Sequence, residues 1–334
     1  MKSALITLLL ISTIIQLGCH TGASGTFVNA NIDPAIKKQI EPLNKKLIEG
    51  LASKNAKELK QLMAPVLIER SGSALDSSIK VIGDGINSSE YTVMDEYYTK
   101  NTAINISNTL ISSLGNDQGY IVNYLALNKE MYASLLVTKN GYLSGLIIAI
   151  YGKCPDGWKL NILNAGPYKL LGKTSADYYN EAKKNYDKGE LLDATDKMVI
   201  ASQIASPGGQ YFKFKNGEAI KAFYDKLIKE ANEKYKMPFS LTQIKTRPQI
   251  FSVTPQYLNG PPTSGFFPYI AYKSNIDLKD TTALKAENRA IQEATAGMFK
   301  GITKNNKYIL YRAFKDLPGP AASKESYGFV QTVQ

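Results

Sequence analysis

The spacing of apolar residues changes near residue 90, and this change limits the fold more than any other feature of the chain. Between residues 34 and 70, apolar side chains such as Ile36, Ile40 and Leu43 recur at steps of three and four, which is the spacing of one helix face. From Tyr91 onward, apolar and polar residues alternate with a period of two, which predicts strands. Helices that precede an antiparallel sheet predict a layered α+β fold.

A few capping and helix-breaking residues divide the helical part. Asp33 and Pro34 predict a helix start, with Asp as the cap and Pro in the first helical position. A polar break at residues 53–55 separates a second helix, which Pro65 should end or bend. We expect a further short helix over residues 75–86.

The strand-like part consists of short segments that are separated by turn signals. Asn140-Gly141 and Pro155-Asp156-Gly157 predict hairpin turns. The predicted strands are residues 91–99, 103–110, 120–127, 131–137, 142–151 and 158–164. We therefore expect an antiparallel meander, in which each strand pairs with the next one along the chain.

This order of long helices and a sheet that ends on a Trp-bearing strand, YGKCPDGWKLNIL at residues 151–163, resembles the cone-shaped fold of the nuclear transport factor two-like superfamily. The resemblance covers residues 34–170 and implies a cone-like domain at 33–172, with a curved antiparallel sheet and a pocket between helices and sheet. Enzymes of that family place an Asp or His inside the cone, and no residue here matches such a position.

Residues 175–209 resemble one tetratricopeptide repeat. Ala182, Gly189, Ala194 and Ala201 stand where that repeat places small residues. Small residues let two antiparallel helices approach closely, and Gly189 suits the turn between them. One repeat cannot bury its apolar face alone. We therefore expect it to pack against a helix at 217–236 and to form a helical connector at 173–237.

The remaining residues, 238–334, predict a C-terminal α+β domain. Asp280 is the expected cap of a helix over residues 281–299. The predicted strands around it are residues 239–244, 249–257, 266–272, 308–314 and 327–333.

The first residues have the pattern of a secretory signal. Lys2 precedes an apolar run at residues 4–17, and Gly18 and Cys19 follow it. Leu17-Gly18-Cys19 resembles the lipobox of bacterial lipoproteins, which implies a signal peptide at 1–18, lipid such as palmitate on Cys19, and a flexible tether at 19–32. The alternatives are an ordinary cleaved signal or a signal-anchor, with Cys19 incidental.

The same resemblance implies a location in the cell envelope. His20 follows Cys19, whereas an Asp there marks inner-membrane lipoproteins, so we expect the outer membrane and a body that faces the periplasm. A bacterium with a single membrane remains an alternative. No later segment is long and apolar enough to predict a transmembrane helix.

The residue types exclude several kinds of catalytic site. His20 is the only histidine, and Cys19 and Cys154 are the only cysteines, which excludes a structural zinc centre and makes a histidine-based catalytic triad implausible. No motif predicts a nucleotide or another cofactor. Asp95 and Glu96 are strand neighbours and should point to opposite faces, so an envelope hydrolase with two buried carboxylates is the alternative rather than the first hypothesis.

The net charge of +11 comes from lysines that are spread along the chain and interleaved with acids. This pattern is typical of a solvated surface, and we expect membrane headgroups rather than nucleic acid as the anionic partner. Tyrosines are abundant in the predicted sheet, and we name Tyr97, Tyr120, Tyr124 and Tyr132 as a candidate ligand pocket, although tyrosine is also a common strand residue. The sequence therefore predicts a lipid-anchored envelope protein of binding or assembly type, whose partner is an amphipathic ligand or another protein.

Overall fold

The computed structural model describes residues 23–86, 88–112, 114, 115, 118–260 and 264–333. The predicted signal peptide and the predicted lipidation site Cys19 lie outside these described residues. Within the described ranges, no helix combines the length and the apolar character that crossing a bilayer requires. The fold is α+β, with three mostly antiparallel sheets.

Four helices come first in the N-terminal part of the fold. Their bounds are α1 Pro34–Ala52, α2 Ala56–Leu62, α3 Pro65–Ser71 and α4 Leu75–Ile86. The predicted start is confirmed, because the Asp33 carboxylate accepts a hydrogen bond of 2.8 Å from the backbone N–H of Ala35. Pro65 begins α3, which confirms that it ends the preceding helix.

Seven strands belong to the same part. Their bounds are β1 Ala23–Val28, β2 Tyr91–Asn101, β3 Ile106–Ile111, β4 Tyr120–Ala126, β5 Glu130–Thr138, β6 Leu143–Cys154 and β7 Gly157–Leu170. Five of them form a central sheet in the order β1-β2-β5-β6-β7, in which all neighbours are antiparallel.

The central sheet is buried on both of its faces. Along β6, Ile147, Ala149 and Tyr151 pack into a core with α1–α4. The alternate residues Leu146, Ile148 and Ile150 pack into a second core on the opposite face. An antiparallel sheet that is covered on both sides needs unbroken apolar runs, as β6 has, instead of alternation with polar residues.

The predicted strand segments of the meander are present, and three of the expected pairs are confirmed: β3 with β4, β5 with β6, and β6 with β7. The other two expected pairs are wrong. β2 pairs with β5 instead of β3, in a register that places Tyr98 opposite Tyr132. The hairpin of β3 and β4 leaves the central sheet and forms a three-stranded sheet with a later strand, β8 Phe212–Phe214. This small sheet covers the second face, which the apolar runs of β5 and β6 would otherwise expose.

The predicted tether at 19–32 is corrected over its later part. Residues 23–28 form β1, which pairs with β2 from Ala23 opposite Asn101 to Val28 opposite Tyr97. A 3₁₀ turn at Asn29–Asn31 then leads into α1. Small and polar residues carry little strand signal, but their backbone groups pair with an available edge as well as any others do.

The connector region contains three helices, α5 Ser175–Asp187, α6 Leu191–Gln203 and α7 Gly217–Tyr235. Ala182, Ala194 and Ala201 are fully buried, and Gly189 adopts a positive φ of 75° between α5 and α6, as the turn requires. The predicted connector at 173–237 is not purely helical, however, because β8 lies within it and completes the small sheet.

The C-terminal part forms a third sheet with two helices. Its elements are β9 Phe239–Ser240, β10 Gln249–Leu258, β11 Gly265–Lys273, α8 Thr281–Met298, α9 Ile302–Asn305, β12 Tyr308–Phe314 and β13 Ser326–Thr332. The strand order is β13-β12-β11-β10-β9. Because α8 connects β11 to β12, these two strands are parallel. Asp280 is confirmed as the cap of α8, since its carboxylate accepts from the N–H of Ala283 at 2.9 Å.

Several contacts join the C-terminal part to the rest of the chain, and two of them illustrate how. Tyr142, in the turn after β5, stacks on Tyr257 of β10 with 4.1 Å between ring centroids. At the other contact, the Asn305 side-chain amide donates to the carboxylates of Glu190 and Asp193, each at 2.8 Å. Both contacts are made by residues that are distant in sequence.

Asp196 on α6 makes stability depend on pH. Burial, and then the nearby Asp193 carboxylate, raise the pKa of Asp196 well above its ordinary value of 3.8. The unfolded chain ionises at lower pH than the folded chain does, so the free energy of unfolding should fall as pH rises from about 4 through the raised pKa. We expect Asp196→Asn to flatten this decline in urea titrations between pH 4 and 8.

The matched control is Asp187→Asn, which changes an exposed carboxylate on the neighbouring α5. This control should leave the pH dependence as it is in the unaltered protein. Equal slopes for all three proteins would contradict the role of Asp196.

Candidate functional site

An apolar cavity lies between the last turns of α4 and the adjoining ends of β6 and β7. Its volume is about 260 Å³. We call it the apolar groove. It is lined by Val81, Ile82, Gly85, Ile86, Leu143, Gly145, Leu146, Ile147, Ala165, Gly166 and Pro167. No lining residue carries a charge.

Three glycines, Gly85, Gly145 and Gly166, contribute to the lining of the groove. A Cβ atom at Gly85 would meet no atom within 4 Å, so this position of α4 leaves the groove open. On β7, Gly166 lies so close to the connector that a Cβ atom there would stand 2.6 Å from the carbonyl oxygen of Pro207. Gly166 therefore has no room for a side chain on the side that Pro207 covers, and it contributes backbone to the lining of the groove.

Polar backbone groups at the groove are paired within the protein. The N–H of Gly145 donates to the Thr138 hydroxyl at 2.9 Å. The side-chain amide of Asn140 donates to the carbonyl oxygen of Gly85 at 3.1 Å. An occupant that makes no hydrogen bonds would thus leave these groups satisfied, which suits hydrocarbon.

Three of the four tyrosines that the sequence singles out lie together in the core between the central and small sheets. The hydroxyls of Tyr97 and Tyr120 are 3.1 Å apart, and Tyr120 donates to the carboxylate of Asp95. Asn29 donates to the other Asp95 oxygen at 2.7 Å. The hydroxyl of Tyr124 lies 2.9 Å from that of Thr99, so each phenol has a partner within the protein.

Burial keeps these phenols protonated. It raises the pKa of Tyr97 to about 12. For Tyr120, burial and the hydrogen bond to Asp95 raise the pKa further. Both side chains therefore act as neutral hydrogen-bonding groups at physiological pH rather than as bases.

Tyr132 lies on the opposite face of the central sheet from the other three. It packs in the core beneath α1–α4, where its ring meets Trp158 edge-on at 6.2 Å. The register explains this separation, because Tyr132 is opposite Tyr98 and shares its face, while Tyr97 points the other way. The structure does not bring the four hydroxyls together, and none of the four lines the apolar groove.

Asp95 and Glu96 diverge as the strand alternation predicts. Asp95 faces the small sheet, whereas the Glu96 carboxylate lies 2.7 Å from the ammonium group of Lys37 on α1. Two carboxylates on opposite faces of one sheet cannot flank the same bond, as glycoside hydrolysis would require. Among the described residues, no group of three or more His, Cys, Asp or Glu side chains is arranged to hold a metal ion.

A larger cleft of about 690 Å³ lies where β11 and β12 end. Three lysines and three acids line it together with Ser274: Lys273, Lys279, Lys315, Asp277, Asp316 and Glu325. The buried Ser274 hydroxyl is already engaged, since it donates to Glu287 at 2.6 Å. Balanced charges give this cleft no preference for either sign of ligand.

The residues of the apolar groove were missed at the level of sequence, although a signal for them exists. Gly145 interrupts a predicted strand, and Gly166 follows the end of another, and a glycine in such a position often marks a close approach of backbone or ligand. Gly85 near the end of a helix is a similar sign. No local pattern shows, however, that these three glycines meet at one place.

Comparisons with known proteins return no match. No protein-family model matches the sequence, no curated protein matches it, and no solved structure matches the fold. The chemistry of the groove is therefore inferred from its own lining.

The hydrogen bond from Tyr120 to Asp95 should stabilise the fold. Tyr120→Phe leaves one oxygen of a buried carboxylate without its donor, which costs about 1–3 kcal/mol in free energy of unfolding. Urea denaturation measures the loss. Tyr168→Phe is the control, because Tyr168 is buried in the same core but donates to no carboxylate among the described residues, and its loss should be smaller. Equal losses would contradict a special contribution from the Asp95 contact.

Proposed function

We propose that this chain is a lipid-anchored cell-envelope protein that binds one hydrocarbon chain of an amphipathic ligand in the apolar groove. The observation that carries the proposal is the groove itself, which is apolar on all sides and has its neighbouring polar groups paired. The expected role is binding rather than catalysis, since the groove contains no acid, base or nucleophile.

The size of the groove favours a single narrow chain. Drug-sized ligands occupy pockets of about 300–1,000 Å³, and this groove measures about 260 Å³. A buried methylene contributes about 0.8 kcal/mol, which corresponds to roughly fourfold in affinity. Affinity should therefore rise with chain length until the groove is filled, and the polar headgroup should stay in solvent.

The anchoring part of the proposal rests on Leu17-Gly18-Cys19. Several acyl chains on one residue hold a protein firmly to a bilayer, whereas one chain alone is marginal. Lipid on Cys19 would thus keep the groove in the envelope, where amphipathic ligands are abundant.

Replacing the Cys19 thiol tests the anchor. We expect the unaltered protein to incorporate labelled palmitate in growing cells and to fractionate with membranes. Cys19→Ser should abolish the label, because a hydroxyl does not accept the lipid. Cys154→Ser is the control and should keep full labelling. Label that persists in Cys19→Ser, or a protein that is never labelled, would contradict lipidation at this residue.

A larger side chain on α4 that fills the groove tests whether hydrocarbon binds there. Gly85→Leu should place a side chain in the open space, while Gly85→Ala adds only a methyl group there and raises helix propensity by about 1 kcal/mol. We expect a photoreactive decanoic acid to attach to groove residues of the unaltered protein and of Gly85→Ala. The adducts, mapped by mass spectrometry, should fall at least tenfold in Gly85→Leu.

Both variants should fold, because nothing lies within 4 Å of a Cβ atom at Gly85, and circular dichroism checks this. Adducts that are spread over the surface, or that Gly85→Leu leaves unchanged, would contradict hydrocarbon binding in the groove.

A further inference from the structure

One end of the central sheet gathers the start of β1 and three turns. Ala23 is opposite Asn101, the last residue of β2. The N–H of Asn101 donates to the carbonyl oxygen of Lys129, which lies between β4 and β5. Near the end of β6, Gly152 is opposite Met131 of β5. The turn that follows β6 and leads into β7 therefore lies at this end as well. We call this region, residues 23, 100–105, 127–130 and 153–159, the anchor end.

The anchor end lies within a short reach of Cys19. Four chain steps separate Cys19 from Ala23, and an extended chain spans at most about 3.6 Å per residue, which gives about 14 Å. Because pairing with β2 begins at Ala23, this short reach keeps the anchor end closer to Cys19 than the far end of the sheet can be.

We propose that the anchor end lies against the anionic phospholipid headgroups of the membrane that holds Cys19, with Ile104 inserted at the interface. This inference rests on the proposed lipidation of Cys19. It adds an orientation, a contact surface and a partner, none of which lipidation alone requires.

The surface chemistry of the anchor end suits that partner. Ile104 is 52% exposed, in a loop whose residues 102–105 are all exposed. The lysines of the anchor end are Lys100, Lys129, Lys153 and Lys159, and its carboxylates are Glu130 and Asp156. Both carboxylates are engaged, since Glu130 accepts from the hydroxyl of Tyr98 and Asp156 pairs with Lys159 at 3.4 Å. Anionic headgroups attract the lysine ammonium groups, and the apolar side chain at the tip can enter the membrane interface.

The same orientation places the apolar groove away from the membrane. β6 runs from Leu143, which lines the groove, to Cys154 at the anchor end. Twelve residues of strand span about 40 Å. The groove would therefore face the aqueous space, where a ligand can enter it without passing the headgroups.

The test uses the full chain, purified with its lipid and placed in vesicles of phosphatidylethanolamine and phosphatidylglycerol. With Cys19 alkylated, Cys154 is the thiol that accepts a fluorophore, and it lies at the anchor end, partly exposed. Nitroxide-labelled headgroups should quench this fluorophore at least threefold more than one at the far end of the sheet. Lys139→Cys in a Cys154→Ser background supplies that second position.

A pair of matched variants tests the role of Ile104. Ile104→Asp should lower quenching at Cys154 at least twofold, because a carboxylate is repelled by anionic headgroups. Ile111→Asp is the control. Ile111 is similarly exposed, at 59%, but lies at the other end of β3, and its replacement should leave quenching unchanged.

The mass of the purified protein shows whether Cys19 carries lipid. It therefore distinguishes a failure of the lipidation proposal from a failure of the orientation proposal. If Cys19 carries no lipid, both the anchor and the orientation are overturned. If Cys19 carries lipid but the two labels are quenched equally, or Ile104→Asp and Ile111→Asp behave alike, only the orientation is overturned. Greater quenching at Cys154, reduced by Ile104→Asp alone, supports it.

Discussion

Burial of the central sheet on both faces is the constraint on which the rest of the N-terminal structure depends. Successive residues of β6, such as Ile147 and Ile148, enter different cores, because neighbouring side chains of a strand point to opposite faces. Helices α1–α4 cover one face, and the small sheet covers the other. The apolar groove is a local gap beside the end of α4, and three glycines, Gly85, Gly145 and Gly166, contribute to its lining.

Polar groups inside the two cores hold the layers in register. Beneath the helices, Asn44 of α1 donates to Ser134 at 3.0 Å and accepts from Tyr151 at 2.9 Å, which ties α1 to β5 and β6. On the other face, Asp95 joins β2 to Tyr120 of the small sheet. Apolar contacts alone tolerate sliding, whereas buried hydrogen bonds are satisfied in one arrangement only.

In the two proposals, the two ends of the central sheet have different roles. The anchor end would meet headgroups, and the end that begins at Leu143 would present the groove. That second end also contacts the C-terminal part, through the stacking of Tyr142 on Tyr257.

The sequence by itself determined the features that depend on a few neighbouring residues. The caps at Asp33 and Asp280, the turn at Gly189 and the existence of most strands all follow from local periodicity and local backbone preference. The opposite faces of Asp95 and Glu96 follow from strand geometry in the same way. Such features need no knowledge of what packs against them.

Only the tertiary structure decided which strands pair over long range and what those pairs enclose. The pairing of β2 with β5, the contribution of β8 from the connector and the recruitment of residues 23–28 as β1 all join segments that are distant in sequence. Backbone hydrogen bonds, which make these pairs, are available to every residue and leave little trace in side-chain pattern. For the same reason the face of Tyr132 and the meeting of Gly85, Gly145 and Gly166 at one groove could not be predicted, because both depend on a register that no single segment encodes.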